Sequence, residues 1–173
     1  MIVPRIIPFL IVALMAPPWL EAASPKLYLR GLGTLRIGMS LSAVRHAIGD
    51  RTASLEGNDG SPDICSYLRS RALPKGVGLM FMHGRVVRID IRDGDIRTAS
   101  GIGIGSTEDD VKRVYGKRIT SEPHKYIDGH YLVYTPIDEP DRELAMRFET
   151  DGRVVINYRT GRADAVQLVE GCA

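Results

Sequence analysis

Residues 36–51 read RIGMSLSAVRHAIGDR, and residues 103–118 read GIGSTEDDVKRVYGKR. The two segments align without a gap at an offset of 67, and Ile37, Gly38, Val44, Gly49 and Arg51 recur in the second copy. Repetition at a fixed spacing indicates that the matched stretches adopt the same local structure. The sequence therefore predicts one local structure that is used twice.

Each copy predicts a short helix with defined ends. Ser40 and Thr107 can each cap a helix N-terminus through the side-chain hydroxyl, and Asp110 stands at the capping-box position after Thr107. Apolar residues then follow at helical spacing. Gly49 and Gly116 supply the left-handed residue that commonly ends a helix. We therefore expect helices beginning after Ser40 and after Thr107.

The same offset relates apolar triplets further along the chain. The matched triplets are Val77, Leu79 and Phe81 with Leu144, Met146 and Phe148, and Val87, Ile89 and Ile91 with Val154, Ile156 and Tyr158. Alternation of apolar and polar residues is typical of half-buried strands. Each pair of triplets therefore predicts a β-hairpin.

Loop lengths set the expected strand pairing. A three-residue loop at 150–152 pairs Phe148 with Val154, Met146 with Ile156 and Leu144 with Tyr158, which puts every apolar side chain on one face. The equivalent loop at 83–85 pairs Phe81 with Val87 and Leu79 with Ile89. Asp128-Gly129 predicts a further hairpin with a two-residue turn.

Together these patterns predict an α+β fold of two tandem repeats. Each repeat is a short helical segment followed by an antiparallel β-meander, and the helices lie on one face of the sheet. The expected repeats are residues 24–100 and 101–173.

The N-terminus, residues 1–23, has the organisation of a signal peptide. Arg5 precedes an apolar run at 6–15, and small residues at Ala22 and Ala23 provide a cleavage site. The run is too short to span a bilayer. We therefore expect an exported protein, periplasmic or secreted, without a membrane span in the mature chain.

Composition and cysteine count agree with an exported globular protein. The net charge of +2 gives no reason to expect nucleic acid as a partner. Cys65 and Cys172 are the two cysteines, and an exported chain predicts that they form a disulfide. The alternative is two free thiols with redox or nucleophilic roles.

The helix entry Leu35-Arg36-Ile37-Gly38-Met39-Ser40, with Val44 and Ile48-Gly49 after it, resembles that of SmpA/OmlA (BamE-like) bacterial envelope proteins. Two such units in tandem on an exported chain are similar to the β-lactamase-inhibitory-protein arrangement. The resemblance implies helices packed on four-stranded sheets and a concave combined sheet. It assigns no inhibitory residue, because the binding-loop pattern of that family does not occur here.

Patterns for catalysis and for cofactors are weak. Strand alternation places His124 and His130 on opposite faces of their hairpin, so we expect no shared metal site. Gly101 to Gly105 lacks the lysine of a phosphate-binding loop and the continuation of a dinucleotide-binding motif. We expect no cofactor, no metal and no enzymatic activity; a small hydrolase using His124 or His130 is the last-ranked alternative.

Polar residues occupy the sheet face opposite the apolar triplets. The candidate binding residues are Arg88, Arg92, Arg147, Asn157 and Arg159. An arginine-rich face suits carboxylates or an acidic protein surface, whereas the alternative is a solvated face whose charges pair across strands. The expected function is binding of an envelope or extracellular protein through this face and its hairpin loops, with an enzyme to be inhibited as one candidate partner. A structural role in envelope assembly is the second hypothesis.

Overall fold

The computed structural model describes residues 24–57 and 64–172. The expected signal peptide lies outside these residues. Among the described residues, no helix is long and apolar enough to cross a membrane. In chain order the elements are β1 (Leu27–Tyr28), β2 (Gly31–Leu32), β3 (Leu35–Arg36), α1 (Leu41–Ile48), β4 (Ser54–Glu56), β5 (Cys65–Arg69), β6 (Val77–Met82), β7 (Arg85–Ile91), α2 (Glu108–Tyr115), a 3-10 turn (Gly116–Arg118), β8 (Ile119–Pro123), β9 (His130–Tyr134), β10 (Leu144–Thr150), β11 (Val155–Arg162) and α3 (Ala163–Gln167).

The predicted helices α1 and α2 lie where their caps indicate. The Ser40 hydroxyl accepts a hydrogen bond from the Ala43 amide at 3.3 Å, and α1 ends at Gly49 with φ of 70°. Thr107 and Asp110 form a reciprocal capping box at the start of α2. Local capping chemistry therefore sets both helix starts.

The described strands form an eight-stranded antiparallel sheet in the order β4-β5-β6-β7-β11-β10-β9-β8, beside a three-stranded sheet of β1 to β3. The pairing of β7 with β11 joins its two halves, with Gly161 opposite Arg88. A β-carbon on Gly161 would collide with the Val87 carbonyl oxygen. Glycine at this position permits the close approach of the two strands.

One face of the large sheet carries the main hydrophobic core. Leu79 and Phe148 are fully buried there, together with Val44 of α1, Val111 of α2 and Leu27 of β1. The helices α1 and α2 and the three-stranded sheet therefore cover this face, which we name the apolar face.

The predicted α+β class is wrong. The described part of the chain is mostly β, with 41% of its residues in strands against 17% in helices. One eight-stranded sheet replaces two successive helix-plus-meander repeats. The helices are too short to form a layer, since α1 buries Val44 alone and α2 buries Glu108 and Val111. Helices also lie on both faces, because α3 packs against the side opposite α1 and α2. Residues before and after position 100 contribute strands to the same sheet.

The predicted pairing of β10 with β11 is also wrong. Phe148 pairs with Tyr158, Met146 with Thr160 and Leu144 with Arg162. The Asp151 carboxylate accepts hydrogen bonds from the amides of Arg153 and Val154, which lengthens the turn to residues 151–154. A bulge next to this turn shifts the register further.

The other two hairpins follow the prediction in part. The pairing of Leu79 with Ile89 is confirmed, but Phe81 pairs with Val86 because His83 and Gly84 form a two-residue turn followed by a bulge. The prediction of a two-residue turn at Asp128-Gly129 is wrong. Pairing of β8 with β9 ends at His130, and residues 124–129 form a longer connection closed by a hydrogen bond from the His124 amide to the Gly129 carbonyl.

Candidate functional site

The predicted disulfide is confirmed: Cys65 and Cys172 are bonded, across a sequence separation of 107 residues. The bond attaches residues 163–172, which we name the C-terminal segment, to β5. Ala165 and Cys172 pack on Met80 and Val87, and Val166 packs on Val133. The C-terminal segment therefore covers part of the second sheet face, which we name the polar face.

Three of the predicted binding residues lie beneath the C-terminal segment. Arg88, Arg159 and Arg147 stand on the neighbouring strands β7, β11 and β10, and their exposed fractions are 1%, 5% and 3%. The strand alternation correctly places them on the polar face. The expectation of a broad open face did not include α3, so it did not anticipate that these guanidinium groups are buried.

The buried guanidinium groups bind main-chain carbonyls of the C-terminal segment. Arg88 Nη1 donates to the carbonyl oxygens of Ala165, at 2.9 Å, and Leu168, at 2.8 Å. Arg159 Nε donates to the Val166 carbonyl at 2.9 Å. Arg147 Nη1 donates to the Gln167 carbonyl at 3.1 Å. Carbonyls in the last turn of a helix lack intrahelical partners, so the three arginines satisfy the end of α3.

Two carboxylates share the same layer. Asp90 Oδ1 lies 2.9 Å from Arg88 Nε, a close ion pair without the alignment of a hydrogen bond. Glu149 Oε1 accepts from Arg159 Nη2 at 2.7 Å. Burial lowers the pKa of Arg159 below its usual value, while the attraction of Glu149 opposes that shift. Each carboxylate compensates the charge of the buried guanidinium group that it contacts.

Arg147 has a different environment. Its guanidinium carbon lies 3.6 Å from the centroid of the Tyr131 ring, a cation–π geometry. Burial lowers the pKa of Arg147 as well. Its Nε atom is buried without a hydrogen-bond partner among the described residues. This guanidinium group therefore keeps an unused donor beneath the C-terminal segment.

The remaining two predicted residues line an open cleft beside the C-terminal segment. Arg92 and Asn157 face a cleft of about 360 Å³, which Tyr67 and Val169 also line. The Arg92 side chain is 58% exposed, and its guanidinium carbon lies 5.3 Å from the Tyr67 ring centroid. Arg92 Nη2 contacts Asp90 Oδ2 at 3.3 Å. Arg92 is therefore oriented by its neighbours yet accessible from solvent.

A further exposed surface, formed by residues 124–129 and the C-terminal segment, was not predicted. Residues 124–129 reach the C-terminal segment, where Lys125 Nζ lies 3.1 Å from Glu170 Oε1 and the Tyr126 hydroxyl also contacts Glu170. Tyr126 is 57% exposed, and Ile127 and Leu168 are also exposed. The apolar Tyr-Ile pair beside a turn was the available sequence signal. Its juxtaposition with Leu168 depends on the fold.

The two candidate histidines occupy separate environments. The His124 ring lies 4.3 Å from the Tyr131 ring, and its Nδ1 accepts from the Tyr126 amide at 3.1 Å. His130 Nδ1 lies 2.8 Å from Glu108 Oε1. No group of three or more His, Cys, Asp or Glu side chains suited to a metal ion occurs among residues 24–57 and 64–172.

Glu108 is a buried carboxylate on the apolar side of the molecule. Burial acts to raise its pKa, but hydrogen bonds from Thr150, His130 and Lys112 outweigh burial and lower the pKa to about 2. The Thr150 hydroxyl donates to Glu108 Oε1 at 2.6 Å. Glu108 therefore stays ionised and holds α2 against the sheet.

Comparisons with known proteins give a distant structural likeness. Neither a protein-family model nor a curated protein sequence matches this chain. A crystal structure of a cysteine-rich secretory protein from Staphylococcus aureus subsp. aureus Mu50 is similar at a TM-score of 0.37 and 11% sequence identity. The match covers 82% of this chain, which spans 48% of the length of that chain. The resemblance to BamE-like proteins stays a prediction.

Proposed function

We propose that this protein is an exported, non-enzymatic binding protein that recognises an acidic segment of another envelope or extracellular protein. Arg92, at the open end of the polar face, is the principal contact, and Asn157 is a second contact in the same cleft. The observation that carries the proposal is the exposed Arg92 guanidinium beside a layer in which Arg88 and Arg159 are already occupied. The disulfide supports an exported location, since such bonds persist in oxidising compartments.

The exposed guanidinium group of Arg92 favours a carboxylate ligand. Arg88 and Arg159 pair with the carboxylates of Asp90 and Glu149, whereas Arg92 shares Asp90 with Arg88 and its side chain is 58% exposed. A guanidinium group binds a carboxylate through two parallel hydrogen bonds, which neither a neutral side chain nor an ammonium group reproduces. A glutamate or aspartate entering the cleft would therefore pair with Arg92.

The rim of the surface supports a protein partner. Tyr126, Ile127 and Leu168 are exposed apolar residues, and the Tyr126 hydroxyl contacts Glu170 of the C-terminal segment. Tyrosine and arginine are enriched among residues that dominate binding energy in protein interfaces. A partner protein could place an acidic side chain in the Arg92 cleft and an apolar side chain against Tyr126.

Selection from a random peptide library against the oxidised protein tests the proposal. Selected peptides should be enriched in Asp and Glu, and they should bind the Arg92→Glu variant at least tenfold more weakly. Arg92→Lys should keep part of the affinity, because it retains the charge without the bidentate geometry. Arg51→Glu, a charge-matched change of an exposed arginine after α1, should leave affinity unchanged. Peptides without acidic enrichment, or equal binding to Arg92→Glu, would contradict the proposal.

Two alternatives have separate tests. A role in envelope assembly predicts that deletion of the gene makes the envelope permeable, with rescue by Arg92→Glu as well as by wild type.

A hydrolase is favoured by one observation, the Glu108 carboxylate that orients His130, because a carboxylate behind a histidine is the arrangement of a general base. Turnover of ester or peptide substrates that disappears in His130→Gln would support the hydrolase.

A further inference from the structure

The covered part of the polar face has the chemistry of an anion-binding site. We infer that Arg88, Arg147 and Arg159 form a second carboxylate-binding site, which the chain fills with its own C-terminal segment and which opens when the Cys65–Cys172 disulfide is reduced. The ligand class is an acidic peptide. The inference rests on the proposed function only for that ligand class, since Arg92 lies outside the covered site.

The present occupant matches the arginines incompletely. Arg88 and Arg159 have the carboxylates of Asp90 and Glu149 as partners, whereas the ion pairs among the described residues include none for Arg147. The C-terminal segment offers Arg147 Nη1 two neutral oxygens of Gln167, the main-chain carbonyl at 3.1 Å and Oε1 at 2.9 Å. Hydrogen bonds from guanidinium groups to carboxylates are shorter and stronger than those to neutral acceptors. The unused Arg147 Nε is a further donor that a carboxylate could reach. An acidic peptide would therefore satisfy this site better than the main-chain carbonyls do.

The C-terminal segment is attached to the polar face by few apolar contacts. Ala165, Val166 and Cys172 are its buried apolar residues, whereas Leu168 is 39% exposed. Small side chains bury little apolar area, so the hydrophobic contribution to docking is small. The disulfide holds the segment at a high effective concentration next to the arginines. Without that bond, the segment competes with a free ligand far less effectively.

Opening requires a two-electron reduction. A dithiol attacks one sulfur of the disulfide, passes through a mixed disulfide and ends as its own cyclic disulfide. The two electrons and two protons that it loses leave Cys65 and Cys172 as thiols. The peptide bond between Arg162 and Ala163 is then the covalent connection between the segment and the sheet, and the hydrogen bonds from the arginines must compete with a free ligand.

Affinity for a defined acidic probe tests the inference. The probe is a fluorescein-labelled tetraglutamate peptide, its tetraglutamine counterpart is the control, and binding is measured by fluorescence anisotropy. Wild type reduced with dithiothreitol should bind tetraglutamate at least tenfold more tightly than the oxidised protein. The Cys65→Ser/Cys172→Ser variant should bind as the reduced protein does, with or without the dithiol. Arg147→Gln should remove the gain that follows reduction.

The outcomes separate this inference from the proposed function. Loss of oxidised-state binding in Arg92→Glu reports on the open cleft, whereas the gain on reduction that depends on Arg147 reports on the covered site. Equal affinity in both redox states, or a gain unchanged by Arg147→Gln, would overturn the inference. Hydrogen exchange provides a second measurement: reduction should raise exchange at residues 163–172 while β10 and β11 stay protected. Global loss of protection on reduction would also overturn it.

Discussion

The two faces of the eight-stranded sheet are covered by different chemistry. On the apolar face, side chains such as Phe148 and Leu79 are fully buried beneath helices and the small sheet. On the polar face, Arg88, Arg147 and Arg159 hold the C-terminal segment through directed hydrogen bonds. Apolar burial has no preferred direction and adds up with area, whereas a buried guanidinium group is favourable only with its partners in place.

This difference assigns the faces different roles. The apolar face provides stability that grows with the apolar area it buries. The polar face depends on matched charges, on carbonyls at defined positions and on one covalent bond. The same dependence makes the polar face selective for what it binds, because an ill-matched occupant leaves charges unpaired.

Removal of the disulfide should have the largest effect on stability. The bond closes a loop with a sequence separation of 107 residues, and the chain-entropy model gives about 4.7 kcal/mol for a loop of roughly that length. The Cys65→Ser/Cys172→Ser variant should lose about that free energy of unfolding in urea, compared with oxidised wild type. A loss below about 1 kcal/mol would mean that the polar face holds the C-terminal segment without its covalent bond.

Truncation on the apolar face should be nearly as costly. Phe148→Ala removes a fully buried ring that stacks 5.7 Å from Tyr158, and the expected loss of unfolding free energy is about 4 kcal/mol. Ile137→Ala is the control. Because Ile137 is 67% exposed, this substitution should lower the free energy of unfolding by less than about 0.5 kcal/mol. Similar losses in the two variants would contradict the assignment of the main core to this face.

Removing one partner of an ion pair on the polar face should lower the free energy of unfolding, whereas removing both partners should lower it much less. Arg159→Met leaves Glu149 buried without its guanidinium partner and should cost about 3 kcal/mol. Arg159→Met combined with Glu149→Met should recover most of that loss. Arg92→Met, a change of the exposed arginine, should stay within about 0.5 kcal/mol of wild type. If the single and double variants are equally unstable, charge matching is not what stabilises this face.

Acid should weaken the apolar side through Glu108. Its pKa is about 2 in the folded protein against a usual 4.5, so its stabilising contribution is full above pH 4.5 and is lost as pH falls toward 2. The shift corresponds to about 3 kcal/mol, and partial exposure of Lys112 and His130 reduces the expected effect to about 2 kcal/mol. Urea unfolding as a function of pH should show this loss in wild type and not in Glu108→Gln.

Asp109→Asn is the matched control for Glu108, since Asp109 is an exposed carboxylate in the same helical turn. This variant should keep the acid-dependent loss. An unchanged pH dependence in Glu108→Gln would show that other carboxylates cause the loss.

Features specified by neighbouring residues could be predicted from the sequence. The hydroxyls of Ser40 and Thr107 identified both helix starts, and Gly49 identified the end of α1. Gly116 also ends α2, but the predicted left-handed conformation is wrong, because its ψ is -139° and a 3-10 turn begins there. Alternation identified the central strands and placed the arginines together on one face. The disulfide followed from two cysteines in a chain with an apparent export signal. Each of these depends on contacts within a few residues or on a count.

Features that depend on distant partners could not be predicted. The hairpin registers depend on the Asp151 side chain, which accepts from two amides and lengthens the turn. The residues of α3, Ala163–Gln167, are too few for a helical period to stand out. Several partners of the buried arginines are main-chain carbonyls, and these leave no pattern in a sequence. The predicted fold class was wrong because β7 pairs with β11 and so merges the strands into one sheet, and this pairing also leaves no pattern in the sequence.

The most direct test of the account is the chemical accessibility of the arginines. Phenylglyoxal modifies accessible guanidinium groups, and peptide mass spectrometry locates the products. In the oxidised, folded protein Arg92 should react readily, whereas Arg88, Arg147 and Arg159 should be protected until the protein is denatured. Equal reactivity of all four arginines in the folded protein would contradict the claim that the C-terminal segment fills the polar face and leaves Arg92 open.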